Sequence, residues 1–411
     1  RNTISSTVTD VSLETTAGDV SLSAVDDSTI NAEAGAVSVS IAAGQSSTVG
    51  VGLGLSITIN DIDNDILAVI DDSDVTSSGD LTLTAMSTAE IESLAIGASL
   101  AVSASSGGTP VAVGATGTAS SNRISNTIKA AIDDTDAGSD NTIDVGGALS
   151  IDASDSSIIN SFGFAGAIAI AAGSSGTPIA GSIGVGVALN TIDNDTAAYI
   201  EDVSDVDADT GITIAATSDA AITARSYAAA VSVAAGSSNA VAVSGGGAVA
   251  QNVILSKTNA FAENTDLDSG AGIDIDAMSD SAIKAEVVAA SASVAAGGSS
   301  AIAASVGISV ARNFIGWNPY GGTVVPDWNS LETGVDLSKN DIVEIPSDIE
   351  RDYESDGSPA GVRAGEIVEI TSNIDPAADY LTSVGSTTVT NGEIVEIDAS
   401  VPADFRSSVR A

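Results

Sequence analysis

The residues of this chain best suited to chemistry lie in two matching runs of Asp and Asn. Residues 60–65 read NDIDND and residues 190–195 read NTIDND, so carboxylate and amide oxygens recur at alternate positions. Ca²⁺ is a hard cation that takes about six to eight oxygen ligands, which such runs can supply. Neither run continues with the Gly and the final Glu of an EF-hand loop, so that loop is excluded.

Other acids cluster at equivalent places along the chain, and we predict that calcium binds between stacked repeats. Carboxylates that stacking brings together repel one another unless a cation or water screens them. The alternative is that Asp and Asn occur there because they favour turns and keep the surface soluble. The candidate calcium ligands are Asp61, Asp63, Asp65, Asp193, Asp195, Asp71, Asp74, Asp133, Asp136, Asp205 and Asp207.

Catalysis is not expected. The chain has no His and no Cys, which excludes Ser-His and Cys-His nucleophiles and a zinc site of the usual kind. A polysaccharide-degrading enzyme on a parallel β-helix needs one singular pair of carboxylates and aromatic platforms for the sugar. Here the acids recur in every repeat and aromatic residues make up only 3% of the chain. Such an enzyme is therefore the third-ranked function.

Charge and composition limit the partners. A formal charge of -43 excludes nucleic acid, because phosphates would be repelled. The 44% of hydrophobic residues argues against the disorder that strong acidity usually indicates. The apolar segments lack aromatic girdles and are interrupted by Ser/Gly/Pro turns, so we expect no membrane insertion. The expected partners are other copies of the chain, or a surface glycan or cell target.

The chain contains an internal repeat of about 60 residues, which is typical of solenoids. A short strand pattern with a period of two follows a Gly in each repeat, as in VSLSA, LTLTA and ITIAA. The sequence predicts an all-β fold, a parallel β-solenoid of five repeats over residues 1–313. Two sets of residues mark the period: Asn2, Asn60, Asn122, Asn190, Asn252 and Asn313, and Gly18, Gly79, Gly147, Gly211 and Gly272.

Each repeat also contains a neutral arm, which is two alternating apolar runs joined by a short polar turn. The arm between Asp155 and Asp193 contains no charged residue, and in Gly184-Val-Gly-Val187 the Val and Gly side chains fall on opposite faces. We expect the Val/Ile face to fill a narrow core and the Gly/Ala face to let another layer approach, as in sheet-on-sheet packing. The alternative is a loosely filled outer face exposed to water.

Residues 314–411 lack the neutral arms and predict a small β domain. An IVEI unit occurs three times there, at 341–345, 366–370 and 393–397, each preceded by Asn or Gly. The aromatic residues Trp317, Tyr320 and Trp328 are expected to form the core of this domain, with sugar stacking as the alternative.

The two ends of the chain resemble the start of the fifth repeat. Joined end to start, SVRA and RNTI resemble SVARNFI at 309–315. The similarity suggests that the chain is one period of a longer polypeptide or that copies stack head to tail, with coincidence as the alternative.

The runs AIAIAAGSSG (167–176) and IGVGVALNTIDND (183–195), together with the Asp turns, carry a resemblance to a family. The chain resembles the giant repetitive surface proteins of bacteria, the β-strand-repeat and filamentous-haemagglutinin-like β-solenoid adhesins. The resemblance implies an extracellular or cell-surface structural protein, a filament, sheath or fibre. A monomeric adhesin stalk presenting residues 314–411 as a binding head is the alternative. No catalytic residue is implied, and the Gly/Asp nonapeptide of calcium β-rolls is absent.

Overall fold

The computed structural model describes residues 1–135 and 141–316, together with two short strands further along the chain. No helix occurs among these described residues. Residues 2–315 form five sheets of five strands, and within each of these sheets all strands run parallel. The chain is therefore a parallel β-solenoid, as the sequence predicts.

Each coil of the solenoid contributes one strand to each sheet, and we name the sheets A to E in chain order. Sheet A contains β1 (Asn2–Thr9), β6 (Asn64–Asp71), β11 (Thr127–Asp133), β16 (Asp195–Glu201) and β21 (Lys257–Glu263). Sheet B contains β2 (Ser12–Thr15), β7 (Asp74–Ser77), β12 (Thr142–Val145), β17 (Asp205–Ala208) and β22 (Asp266–Ser269). Sheet C contains β3 (Val20–Asp26), β8 (Leu81–Ser87), β13 (Leu149–Asp155), β18 (Gly211–Ser218) and β23 (Gly272–Ser279).

The two remaining sheets contain the long strands. Sheet D contains β4 (Thr29–Gly44), β9 (Glu90–Ser105), β14 (Ile158–Gly173), β19 (Ala221–Gly236) and β24 (Ala282–Ala296). Sheet E contains β5 (Thr48–Ile62), β10 (Pro110–Ile124), β15 (Ile179–Ile192), β20 (Asn239–Ile254) and β25 (Ser300–Ile315).

Residues at the same position in successive coils pair across the strands, and we call each such set a column. The Asn anchors from Asn60 to Asn313 form one column in sheet E, as their spacing implies. Asn2 is the exception, because it pairs with Asn64 in sheet A. Grouping Asn2 with Asn60 was therefore wrong by four residues, so the similarity between the joined ends and residues 309–315 does not describe equivalent positions.

Sheets A, B and C enclose the body of the solenoid. Its core is a continuous cluster of Ile, Leu, Val and Ala, with fully buried residues such as Ile66, Leu83 and Ile151 in adjacent coils. The short strands of sheet B lie among the clustered acids that include Asp74, Asp205 and Asp207. Side chains alternate between the two faces of these strands. Those of Val75, Ile143 and Val206 point inward, and the Asp side chains next to them in each strand point outward.

Sheets D and E form the neutral arm, a two-layer structure in which the small side chains face inward. The inner face is lined by Ala, Ser, Thr and Gly, and hydroxyl pairs join the layers, as in Ser182 with Ser232 at 2.8 Å. The layers approach so closely that a Cβ on Gly184 would lie 2.7 Å from the carbonyl oxygen of Ala229. Gly50 and Gly114 meet opposing carbonyls at the same distance. Sheet-on-sheet packing in the arm is therefore achieved by backbone contact.

The large apolar side chains of the arm point away from this inner face. Val185 is 40% exposed and Ile183 is 57% exposed, although both lie in the central coil. The expectation that the Val/Ile face fills a core inside the arm is wrong. With backbones this close there is no room for a branched side chain between the layers, so only the Gly/Ala/Ser face can be inside.

A column of Asn side chains runs along the base of the arm. Asn122 donates its Nδ2 hydrogen to Oδ1 of Asn190 at 2.7 Å, and Asn190 donates to Asn252 at 2.8 Å. The same bond links Asn60 to Asn122 and Asn252 to Asn313. These amides are buried in the three inner coils, and each satisfies its neighbour, which keeps the coils in register.

The stacked coils belong to one unit, Arg1–Ile315, and Gly316–Ala411 forms a second. In the second unit the structure describes β26 (Glu369–Ile370), which lies within an IVEI unit and pairs antiparallel with β27 (Val409–Arg410). The other two IVEI units and the aromatic cluster of Trp317, Tyr320 and Trp328 lie outside the described residues.

Two glycines of the same strand test the orientation of the arm. Gly184→Ala should destabilise the protein by about 1–3 kcal/mol, because the new methyl group meets the carbonyl oxygens of Ala229 and Ala165. Gly181 also lies in β15 but has open space around its Cβ position. Gly181→Ala should be neutral, or stabilising by up to about 1 kcal/mol through the unfolded state.

The measurement is urea-induced unfolding followed by circular dichroism for the two variants and the wild type. Equal effects of the two substitutions would contradict the inward assignment of Gly184. A larger loss at Gly181 would reverse the assignment.

Candidate functional site: stacked carboxylates

The two Asp/Asn runs predicted to bind calcium lie at the same corner of the solenoid, where sheet E leads into sheet A. They are separated by a whole coil, since Asp65 pairs with Thr127 and Thr127 pairs with Asp195. Strands two coils apart are separated by about 9.6 Å, so the two runs cannot share one ion.

Cations of the chain already contact the first run. Arg1 lies against Asp63 and Asp65, with its Nε donating to Oδ2 of Asp65 at 2.8 Å, and Arg123 lies 3.8 Å from Asp61. In the second run, Asp195 pairs across sheet A with Lys257. Basic residues in adjacent coils therefore offset part of the negative charge at this corner.

Carboxylates stack directly at the end of sheet A. Asp71, Asp133, Glu201 and Glu263 occupy one column in four successive coils. Burial, together with the charges of Asp72 and Asp133, raises the pKa of Asp71. Burial and the neighbouring carboxylates likewise raise the pKa of Glu201. This column is the strongest local accumulation of negative charge on sheet A.

One lysine lies beside this column. The Nζ atom of Lys129 is 3.5 Å from Oδ2 of Asp133 and 4.6 Å from the ring centre of Tyr199. The Tyr199 hydroxyl donates to the same Asp133 oxygen at 3.3 Å, and its ring stacks on Phe261 at 4.7 Å. Burial lowers the pKa of Lys129, but Tyr199 and Asp133 outweigh it and leave that pKa raised. Lys129 therefore stays charged and partly neutralises the column.

A second carboxylate column lies on the outer face of sheet B. Asp144, Asp207 and Asp268 occupy three successive coils. Loss of hydration, followed by the charges of Asp268 and Asp144, raises the pKa of Asp207. Asp205 and Asp74 lie in a neighbouring column but are separated by Thr142 in the coil between them. Asp136 lies outside the described residues.

The Asp and Asn residues that directly follow the strands of sheet A have a structural role at the turns. Asp10, Asp72, Asp202 and Asn264 adopt positive φ values between 46° and 58°, a conformation that Asp and Asn tolerate better than most residues. Turn carboxylates also accept backbone hydrogen bonds from the next coil: Asp80 accepts from the Ala148 N–H at 2.8 Å. Turn preference therefore explains part of the acidic pattern without a bound cation.

Among residues 1–135 and 141–316, no group of three or more acidic side chains has the geometry to hold a metal ion. The columns stack three or four carboxylates in successive coils, so each acid has its nearest acidic neighbours along the solenoid axis. Calcium binding by the candidate acids stays a prediction, and screening of the columns describes its chemistry better than a single chelate.

A buried polar network lies where sheet C leads into sheet D, and sequence reasoning missed it. Asp155 is 1% exposed and accepts hydrogen bonds from Asn194 at 2.9 Å and from Ser218 at 3.4 Å. Ser157 donates to its other carboxylate oxygen. Asp26 occupies the same column two coils earlier and accepts from Asn64.

The column of this network has an acid in the first and third coils and a hydroxyl in the other three. It reads Asp26, Ser87, Asp155, Ser218 and Ser279, so no two carboxylates are in adjacent coils. Two buried carboxylates about 4.8 Å apart would repel strongly in a medium of low dielectric constant. The signal in the sequence is the Asp at the end of strand C in coils 1 and 3, where the other coils have Ser.

A groove runs along the tip of the arm, where strands of sheet D end. It is lined by small residues of all five coils, including Ala104, Ala172 and Ala235, and has no titratable side chain. Among the described residues, no helix is long and apolar enough to span a membrane. Comparison with known proteins finds no matching family model, no similar curated protein and no similar solved structure.

The buried Asp155 predicts an unusual pH dependence of stability. Burial raises the pKa of Asp155, against the opposing hydrogen bonds from Ser157, Asn194 and Ser218. A raised folded pKa means that the native state binds this proton more tightly than the unfolded state does. The contribution of Asp155 is fully present below its ordinary pKa near 4 and is lost as the pH rises through the raised value.

Asp155→Ser, which copies the residue of coils 2 and 4, should remove that contribution. The difference in the free energy of unfolding, wild type minus variant, should decrease as the pH is raised from pH 4 to pH 7. The measurement is urea unfolding at several pH values, with the exposed Asp27→Ser as the control. A difference that is constant with pH, or that rises with pH, would contradict the cause assigned to the shift.

Proposed function

We propose that the chain is a structural segment of an extracellular or cell-surface fibre, in which coils of the same cross-section stack end to end. The observation that carries this proposal is the open side of the first coil. Its strands of 8, 4, 7, 16 and 15 residues are hydrogen-bonded to the second coil and, within the described residues, to no strand on their other side. Open edges of this length pair readily with further strands.

The direction of the backbone groups shows which atoms are available. The N–H of Asn2 donates to the Asp63 carbonyl and that of Asp10 to the Asp71 carbonyl, both in the second coil. Because successive residues of a parallel strand alternate in direction, the N–H groups of Thr3, Ser5 and Thr7 point to the open side. Another coil with the same register can accept them, whether it belongs to the same polypeptide or to a second copy.

The repetitive architecture supports a structural role over a catalytic one. Within the described residues the acidic columns of sheets A and B extend over several coils, which favours a role spread along the solenoid over one singular active site. The parallel β-solenoid is also the architecture implied by the resemblance to the large bacterial surface adhesins. That resemblance supports an extracellular location and a role in a filament, sheath or adhesive fibre.

Calcium belongs to the proposal as a stiffening cation. The directly stacked carboxylates, Asp71 with Asp133 and Asp144 with Asp207, repel at neutral pH, and Ca²⁺ would screen them in successive coils. Longer arrays accumulate more such pairs, so the effect of calcium should grow with the length of the assembly.

The test is electron microscopy of the purified chain in millimolar calcium and again after chelation. Long uniform fibres that fray on chelation support both parts of the proposal. Fibres that are unchanged by chelation support the filament and contradict the role of calcium in it. Short single rods under both conditions overturn the filament and indicate a monomeric adhesin stalk that presents residues 314–411 to a glycan or cell target.

A matched pair of variants tests the end-to-end contact. Ser5→Pro with Thr7→Pro removes two N–H donors from the open side of β1 while leaving the donors to the second coil in place. Ser5→Ala with Thr7→Ala keeps those donors and serves as the control. Fibres should shorten or disappear only in the Pro variant, and unchanged fibres in that variant would contradict the contact.

A further inference from the structure

The outer face of sheet E is a broad apolar surface without a covering layer among the described residues. It consists of the outward-facing residues at positions 49 to 59 of β5, together with the residues that pair with them in the other four strands of sheet E. Its most exposed members include Leu53, Leu55, Ile183 and Ile308, each at least 57% exposed. Charge enters this face only at its base, at Arg312. At about 24 by 36 Å it exceeds the roughly 300–600 Å² of the largest apolar patch on a typical monomer.

Two central columns of this face are corrugated along the solenoid axis with a period of two coils. One column reads Leu55, Gly117, Val185, Gly247 and Ile308. Its neighbour reads Leu53, Ala115, Ile183, Gly245 and Val306. In these two columns, coils 1, 3 and 5 therefore form ridges and coils 2 and 4 form grooves, whereas the next column, Val51, Val113, Gly181, Val243 and Ala304, has its larger side chains in coils 1, 2 and 4.

The grooves are open. A Cβ built on Gly245 meets nothing within 4 Å, and one on Gly247 meets only a Val185 methyl at 3.9 Å. Successive ridges are separated by two strand spacings, about 9.6 Å. A fluid lipid phase or an irregular protein surface has no such spacing, whereas another stack of the same strands has it.

We infer that the outer face of sheet E docks on the same face of a second copy of this chain, with ridges inserted into grooves. The two copies are related by a two-fold axis parallel to the strands, so their solenoid axes point in opposite directions. The axis lies between two coils, so odd-numbered coils of one copy lie opposite even-numbered coils of the other. Such a contact is isologous, because each copy contributes the same residues. With coils 1 to 4 of the two copies facing each other, Leu53 and Ile183 of one copy then face the Gly245 and Ala115 positions of its partner.

The area is sufficient for a stable contact. Four facing coils and eleven residues along each strand give about 700 Å² on each copy, close to the roughly 800 Å² per partner of a standard protein interface. The rims can stay solvated, because the turns at the tip of the arm are rich in Ser and the base carries Arg123 and Asp61.

This lateral contact deepens the proposed function, since it names the surface by which solenoids associate side by side. It is nevertheless independent of end-to-end stacking, which uses backbone groups of the terminal coils. Measurements in the Ser5→Pro, Thr7→Pro background therefore separate the two contacts.

The decisive variant is Gly245→Leu. It fills a groove without strain in the single chain, and it increases the apolar area of the face. Ridge-into-groove docking should be lost, with at least a tenfold rise in the dissociation constant, whereas nonspecific apolar association or lipid binding should be unchanged or stronger. Gly35→Leu is the matched control, because Gly35 also has open space around its Cβ position but lies on sheet D.

The measurement is sedimentation velocity at about 1–50 µM on the full chain in both backgrounds, together with flotation on phosphatidylcholine vesicles. A dimer in the axially blocked chain that persists in Gly35→Leu and dissociates in Gly245→Leu is the expected result. A monomer at all concentrations in both backgrounds overturns the inference. Equal or tighter dimerisation of Gly245→Leu also overturns it, and vesicle binding that increases in Gly245→Leu assigns the face to lipid instead.

A ridge variant confirms the contact from the other side. Ile183→Ser truncates a side chain that is 57% exposed and so should leave folding intact while weakening the dimer. Retention of full dimer affinity in Ile183→Ser would contradict the placement of the ridge.

Discussion

The close approach of the backbones of sheets D and E is the constraint on which the arm depends. Gly184 and its equivalents lie against carbonyl oxygens of the opposing sheet, and hydroxyl pairs such as Ser182 with Ser232 fill the remaining space. Branched side chains cannot enter, so Val and Ile must face outward. The apolar surface of the arm is therefore a consequence of its thinness, and it is what makes the isolated chain a candidate for association.

The body and the arm divide the chemistry of the chain. The body has a conventional aliphatic core and presents its carboxylates in columns on sheets A and B. The arm carries its charged residues near its base and is held by backbone contact, small side chains and the Asn column there. The body thus provides solubility and repulsion, whereas the arm provides apolar area. Chains can therefore associate through their arms while their acidic bodies remain in contact with water.

Much of the fold could be predicted from the sequence, because the 60-residue period and the alternation after each Gly are local signals. The face of the alternating strand that is buried could not be predicted, because Gly-Val-Gly-Val at 184–187 is the same pattern whichever face points inward. The usual rule places large residues inward, and only the distance to Ala229 shows why it fails here. The acidic runs at 60–65 and 190–195 are equally suited to calcium by sequence. That a whole coil separates them depends on the strand register, which the sequence does not show. Asp155 differs from the Ser of coils 2, 4 and 5, but that difference does not show whether its side chain is buried.

Thiol labelling tests the orientation of the arm most directly, because the chain contains no Cys and a single introduced thiol reports alone. The thiol of Val185→Cys should react at nearly the rate of a free thiol in the dissociated chain and become protected on association. The thiol of Ala188→Cys, on the same strand where the native side chain is fully buried, should react only after unfolding. A protected thiol in monomeric Val185→Cys together with a reactive thiol in folded Ala188→Cys would show that the faces are reversed. That result would contradict both the arm structure and the docking surface built on it.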